Sequence, residues 1–274
     1  MEKRDTRSPV SSEPKGLLDP NTARQKLRLA RLRPSPDLAP LVEHHWIVAW
    51  DLRGQAPHIQ RTLPYPCVHL VFDRKQTAVF GVMRGPFEYE LEGQGRVLGV
   101  RFRAGAFRGF LKRSVATITD RTLSVAEIFG VPDATAEAAV FAAPDDAGML
   151  DAAEALIRRV APPPDPTVGL VNDIIDRIGA DAEITRVDRL AEVAGLGVRD
   201  LQRLFSDYVG VSPKWVIRRC RLHEVAFRLT QGEVLELTRL SHDLGYFDQA
   251  HLARDFKAIV GRSPSDYQRA ASAR

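Results

Sequence analysis

VGVSP, at residues 209–213, is echoed by VGRSP at residues 260–264. Sliding the chain by 51 residues brings Leu201 onto Leu252, Arg203 onto Arg254 and Phe205 onto Phe256. Val209, Gly210 and Ser212–Pro213 fall on Val260, Gly261 and Ser263–Pro264. Chance gives about one identity over such a window at ordinary residue frequencies. Upstream the shift drops to 50, pairing Leu190 with Leu240 and Gly195 with Gly245, so the second copy carries one extra residue in its turn. Each copy reads as a helix, a turn containing Gly, and a second helix, the helix-turn-helix layout. Ser212 and Ser263 are placed to cap the helices that follow. Pro213 and Pro264 suit the first helical position, whose N–H needs no partner.

In the first copy Leu201, Leu204 and Phe205 form the apolar stripe of the second helix, and Arg199, Gln202, Arg203 and Ser206 lie opposite. In the second copy the stripe is Leu252, Phe256 and Ile259, and the open face presents Gln249, His251, Arg254 and Lys257. Long donor-bearing side chains on such a helix suit a major groove, with Arg matching guanine and Gln matching adenine. Between the copies, residues 213–229 form one long helix rich in cations: Lys214, Arg218, Arg219, Arg221 and Arg228. Arg218 and Arg219 are the expected phosphate contacts. A rigid strut between two readers predicts successive major-groove segments, roughly 34 Å apart.

VDRLAEVAGLGVRDLQRLFSDYVGVSPKWVIRRCRL and LTRLSHDLGYFDQAHLARDFKAIVGRSPSDYQR closely resemble the DNA-binding domain of AraC/XylS-type bacterial transcription regulators. The resemblance implies a seven-helix domain over about 168–272, with two helix-turn-helix units and recognition helices near 198–208 and 248–259. It further implies DNA contacts from Arg199, Gln202, Arg203, Gln249, His251 and Arg254. Gly197 departs from the pattern, which usually has Ser at that cap position.

Upstream the pattern is different. HHWIVAW, CVHLVF, TAVFGVM, FEYEL and RVLGVRF are short, β-branched and aromatic, with turn signals between them. Leu98, Val100 and Phe102 share one strand face, and Arg101 and Arg103 the other. This predicts a small β-barrel or sandwich with one wet face and flanking short helices, so the whole chain reads as a two-domain α+β protein. APPPDP at 161–166 cannot continue a helix and predicts a stiff spacer crossed by few contacts. The expected organisation is a basic disordered tail at 1–33, a β-rich sensing or dimerisation domain at 34–160, a linker at 161–167 and the helical domain at 168–272. PSPDLAPLVEHHW, LPYPCVHLVF and LGVRFRAGAFRGFL also resemble an uncharacterised domain that often precedes such regulators.

Over 274 residues the hydrophobic share is 44% and the charged share 27%, as in soluble globular proteins. A net charge of +4 permits nucleic-acid binding without requiring it. No secretory pattern or membrane-length apolar run is present, which predicts a cytoplasmic location and no membrane partner. The two cysteines, Cys67 and Cys220, form no disulfide framework and no CxxC motif. Cys67 and His69 share a strand face as a weak metal pair, while His44 and His45 point to opposite faces; packing is the simpler role for all four. No P-loop, dinucleotide fingerprint or nucleophile elbow occurs. The residues therefore point to a non-enzymatic regulator of double-stranded promoter DNA, without a cofactor or bound metal. A small-molecule effector and a second copy of the chain are the further partners left open. The rival is a DNA-tethered enzyme, with Cys67 its one N-terminal nucleophile.

Overall fold

The computed structural model describes residues 8–10, 16–230 and 236–272. The N-terminal part runs α1 (Pro20–Lys26), β1 (Arg28–Leu32), β2 (Val42–Asp51), β3 (His58–Thr62), β4 (His69–Phe72), β5 (Ala78–Phe80), β6 (Phe87–Leu91), β7 (Gln94–Phe102), α2 (Phe107–Leu111) and β8 (Thr122–Leu123). It closes with α3 (Val125–Phe129), α4 (Asp133–Phe141) and α5 (Asp146–Arg158). Six strands make one antiparallel sheet in the order β1-β2-β7-β4-β5-β8, and β3 and β6 form a separate ribbon. Leu98, Val100 and Phe102 of β7 are fully buried with Ile47 and Phe72 against Phe107, Phe129 and Met149 of the helices. Strand alternation therefore places the apolar side chains where period two requires.

Two expectations for this half need correction. First, the tail is ordered from residue 16 to 33. β1 pairs with β2 from Arg28↔Ala49 to Leu32↔His45, and residues 8–10 run along its other edge, with Val10 N–H donating to the Arg31 carbonyl at 3.0 Å. In KLRLARLR the charges dominate the composition, yet Ala30 and Leu32 pack on the main core and Leu27 on a second one beneath the ribbon. Residues 1–7 and 11–15 lie outside the described residues. Second, the outer sheet face is covered rather than wet: Trp50 and Val97 are buried there in the second apolar core, with Trp46, Val48 and Val71 packed against it, and only one end is polar. His44 is buried there, and Arg101 reaches Glu43 at 2.8 Å beneath the ring of Tyr65, 4.0 Å away.

The C-terminal part is helical: α6 (Pro166–Ala180), α7 (Val187–Ala194), α8 (Val198–Leu204) with a π-helical turn at Phe205–Val209, α9 (Pro213–Thr230), α10 (Leu237–Asp243), α11 (Gln249–Val260) and α12 (Pro264–Ser272). Ser212 Oγ accepts from Trp215 N–H at 3.2 Å, and Ser263 Oγ from Asp266 N–H at 3.2 Å. Both Ser-Pro pairs thus start helices, each cap contributing about 1 kcal/mol. Each helix-turn-helix unit builds its own core on α9. The first gathers Leu190, Leu201, Phe205 and Ile217, the second Leu229, Leu240, Leu252 and Phe256.

The proline segment does not isolate the halves. Pro162 lies on α2 so closely that a Cβ on Gly109 would meet it at 2.7 Å. Val82 and Ala104 of the β-rich part belong to the core of the first unit, and Leu18 and Leu63 to that of the second. Few contacts were expected across the boundary; instead both helix-turn-helix units share a core with the N-terminal part. The reason is nonlocal: Val82, Ala104 and Leu63 sit in loops after strands, where no periodicity marks them as buried.

Candidate nucleic-acid interface

The second helix of the first unit, α8, begins at Gly197 with no side-chain cap, and Asp200 in its first turn holds Arg203 at 2.7 Å. Arg203 is 81% exposed, so this pair is weak and easily exchanged for another acceptor. Arg199 and Gln202 are exposed beside it. After Leu204 the helix widens into the π-helical turn rather than continuing regularly to residue 208. The β-rich part grips that turn: Arg108 pairs with Asp207 at 3.0 Å, Ser114 Oγ donates to the Ser206 carbonyl, and Thr119 Oγ1 donates to the Gly210 carbonyl at 2.6 Å. Carbonyls in the last turn of a helix lack internal partners, and these donors supply them.

The matching helix of the second unit, α11, is better capped. Asp248 accepts from His251 N–H at 2.6 Å, and Gln249 takes a hydrogen bond from Thr238 Oγ1 at 3.2 Å. Gln249, Arg254 and Lys257 are exposed, while His251 is half-buried with its ring edge-on to Tyr246. The structure thus leaves two separate polar faces open, Arg199–Gln202–Arg203 on one unit and Gln249–Arg254–Lys257 on the other.

On α9 the cations divide by face. Lys214 is exposed. Arg218 is partly exposed and ion-paired with Asp255, tying the strut to α11. Arg219 points the other way: it is 1% exposed, donates to the Arg84 carbonyl at 2.6 Å and lies over the Trp215 ring at 4.6 Å. Burial pulls its guanidinium down to about 10. The expected phosphate contact at Arg219 is therefore corrected: its side chain is committed to the domain boundary. Arg221 is likewise buried, donating to the carbonyls of Ile178, Asp181 and Ile184 and so closing the end of α6.

The β-rich part offers less chemistry. Cys67 Sγ lies 3.4 Å from His69 Nε2, and Trp46 Nε1–H donates to His69 Nδ1 at 3.3 Å. Burial pushes the Cys67 thiol up to about 11, so it is held as a thiol, the form that is not nucleophilic. On the opposite face Glu154 is fully buried and accepts from Ser35 N–H and Oγ–H, facing His45 Nε2 at 2.9 Å and Arg158 at 3.0 Å. That network fastens α5 to β2. Among the described residues, no three His, Cys, Asp or Glu side chains gather as a metal-holding group. No helix among them is long and apolar enough to cross a membrane.

Residues 190–270 match a family described as "Helix-turn-helix domain", and residues 30–124 match a "Domain of unknown function (DUF6597)". The C-terminal part is an AraC/XylS-type helix-turn-helix domain. Over 82 residues it is 33% identical to the XylDLEGF operon transcriptional activator 1 of Pseudomonas putida, covering 29% of this chain and 25% of that protein. Over 86 residues it is 31% identical to an uncharacterized HTH-type transcriptional regulator of Haemophilus influenzae, covering 31% and 28%. The chain spans about a quarter of the length of these curated relatives. A probable AraC family transcriptional regulator from Rhodopseudomonas palustris is similar at 24% identity and a TM-score of 0.34, covering 38% of this chain and 97% of that one. ToxT from Vibrio cholerae is similar at 10% identity and a TM-score of 0.37, covering 78% and 96%.

Within the AraC/XylS-type domain, three residues of note went unsingled by their pattern. Asp255 fixes Arg218, His223 of α9 stacks on Tyr65, and Phe247 stands in solvent at the entrance of α11. Only the last had a signal, since Phe247 is the extra residue of the second turn.

Proposed function

We propose that this chain is a sequence-specific DNA-binding transcription regulator. The observation that carries the reading is the pair of exposed polar faces on two repeat-related helix-turn-helix units joined by one helix. α8 would enter one major-groove segment with Arg199, Gln202 and Arg203, and α11 the next with Gln249, His251, Arg254 and Lys257. Lys214 and Arg218 would supply phosphate contacts, for which Arg218 must exchange Asp255 for a phosphate oxygen. The β-rich part, assigned to about 34–160, would receive the signal. Its grip on the π-helical turn after α8 and on the core of the second unit supports that role. A small-molecule effector and a second copy of the chain are the two partners proposed for it. No catalytic step is part of the reading, and the cytoplasm, where bacterial promoters lie, is the compartment it requires.

Selection of bound duplexes from a random pool, using the full chain, tests the proposal. The expected result is a bipartite site with half-sites about one helical turn apart. A recovered pool without enriched sequence overturns it.

A further inference from the structure

The second helix-turn-helix unit differs from the first by one inserted residue. Gly195 and Leu196 align with Gly245 and Tyr246, and Gly197 with Asp248; the residue left over is Phe247. Its neighbours have clear structural tasks. Tyr246 is buried against the His251 ring edge, and the Asp248 carboxylate caps α11. Phe247 is 85% exposed, whereas every other phenylalanine of the chain is buried or half-buried.

We propose that Phe247 is a specificity-determining residue that reads a thymine 5-methyl group in the half-site of the second unit. This rests on the DNA-reading function proposed above. The position fits: in a helix-turn-helix the residues at the N-terminal end of the recognition helix reach the base edges. Phe247 stands immediately before the cap of α11, two residues from Gln249. The chemistry fits as well, because the thymine methyl is the one apolar group displayed in the major groove, and an apolar side chain is its natural partner. The nearby charge does not oppose the approach, since Asp248 is turned onto its own helix N-terminus, where a carboxylate is stabilised. A protein partner is the poorer fit. The exposed residues next to it along the chain are Gly245, Asp248, Gln249 and Ala250, and among the described residues 236–272 Phe247 is the one exposed large apolar side chain, which is less than the contiguous patch a protein partner needs. Val198, at the start of α8, is another of the five large apolar side chains left exposed among the described residues, so both reading helices open on an apolar group.

The experiment uses the full chain and a selected duplex in which each thymine of the second half-site is replaced in turn by deoxyuridine, which removes the methyl and keeps the base pair. At one position the parent should lose about fourfold in affinity, one buried methyl group's worth at ~0.8 kcal/mol. Phe247→Ala should bind the thymine duplex as weakly as the parent binds the deoxyuridine duplex, and should lose nothing more on methyl removal. Phe247→Leu, which keeps an apolar side chain, should restore part of the methyl dependence. Equal losses for Phe247→Ala on both duplexes, or no loss on either, overturn the proposal. So does unchanged DNA affinity with loss of self-association, which would mark the ring as a protein contact. Failure of the parent to select any duplex is a different result: it removes the DNA-reading function itself. Thermal melting of each variant shows that the fold is intact.

Discussion

The rings of Tyr65 and His223 stack 3.9 Å apart with their planes 23° from parallel, and they join the β-rich part to the strut between the two reading units. Tyr65 also covers Arg101 and its partner Glu43, while His223 Nε2 lies 3.4 Å from the Pro64 carbonyl. One residue before Pro64, Leu63 is fully buried in the core of the second unit. Leu63→Ala should destabilise the full chain by about 2–5 kcal/mol through the cavity it leaves. Amide exchange should show lost protection in α10–α12. Protection lost only in the β-rich part would contradict a shared core.

The equivalent glycines Gly210 and Gly261 have φ of 91° and 82°, so a side chain at either strains the backbone. Their surroundings differ. A Cβ on Gly210 would sit 3.0 Å from Thr119 Oγ1 and from Val115 Cγ1, whereas Gly261 has nothing within 4 Å. Gly261→Ala should cost about 1–2 kcal/mol, the left-handed penalty alone. Gly210→Ala should cost more, because the domain contact must also give. Urea midpoints of the two variants measure the difference; equal losses would mean that the Val115–Thr119 contact yields freely.

Arg219→Ala should lower stability by about 1.5–3 kcal/mol, the range for a hydrogen bond to a charged group. It should leave the slope of log affinity against log salt unchanged, since the side chain serves the Arg84 carbonyl rather than a phosphate. Lys214→Ala, at an exposed position of the same helix, should flatten that slope by roughly one. A flattened slope for Arg219→Ala would show that the domain boundary opens on DNA.

Burial, aided by Arg101, holds His44 at about 2 and His69 at about 3, far below the ordinary 6.5. The unfolded chain therefore takes up protons below pH 6.5 that the folded chain refuses. Their contribution to stability is complete above that pH and falls as the pH drops towards 3, by roughly 1.4 kcal/mol per pH unit for each histidine. His69→Gln should remove about one histidine's share of the slope, read from urea midpoints between pH 6.5 and 4. An unchanged slope would mean that His69 titrates normally.

Arg203 and Arg254 occupy equivalent exposed positions on the two reading helices. Arg203→Ala should relax preference in one half of the selected site only, and Arg254→Ala in the other, each by roughly 1–3 kcal/mol if the contact is bidentate. The losses should nearly add. An unchanged specificity profile for Arg254→Ala would leave the second unit gripping phosphates.

Local physics was written openly in the sequence. The repeat, the Ser-Pro helix starts and the buried face of Leu98, Val100 and Phe102 follow from capping and periodicity, which act within a few residues. β1 escaped because KLRLARLR carries its strand alternation under a basic composition. What only the tertiary structure decided is where each cation on α9 goes. Lys214, Arg218, Arg219 and Arg221 read alike along the chain, yet Lys214 stays exposed, Arg218 takes Asp255, and Arg219 and Arg221 are buried on carbonyls. The carbonyl that holds Arg219 belongs to Arg84, more than a hundred residues earlier, so no local pattern could mark that arginine as a domain contact rather than a phosphate contact.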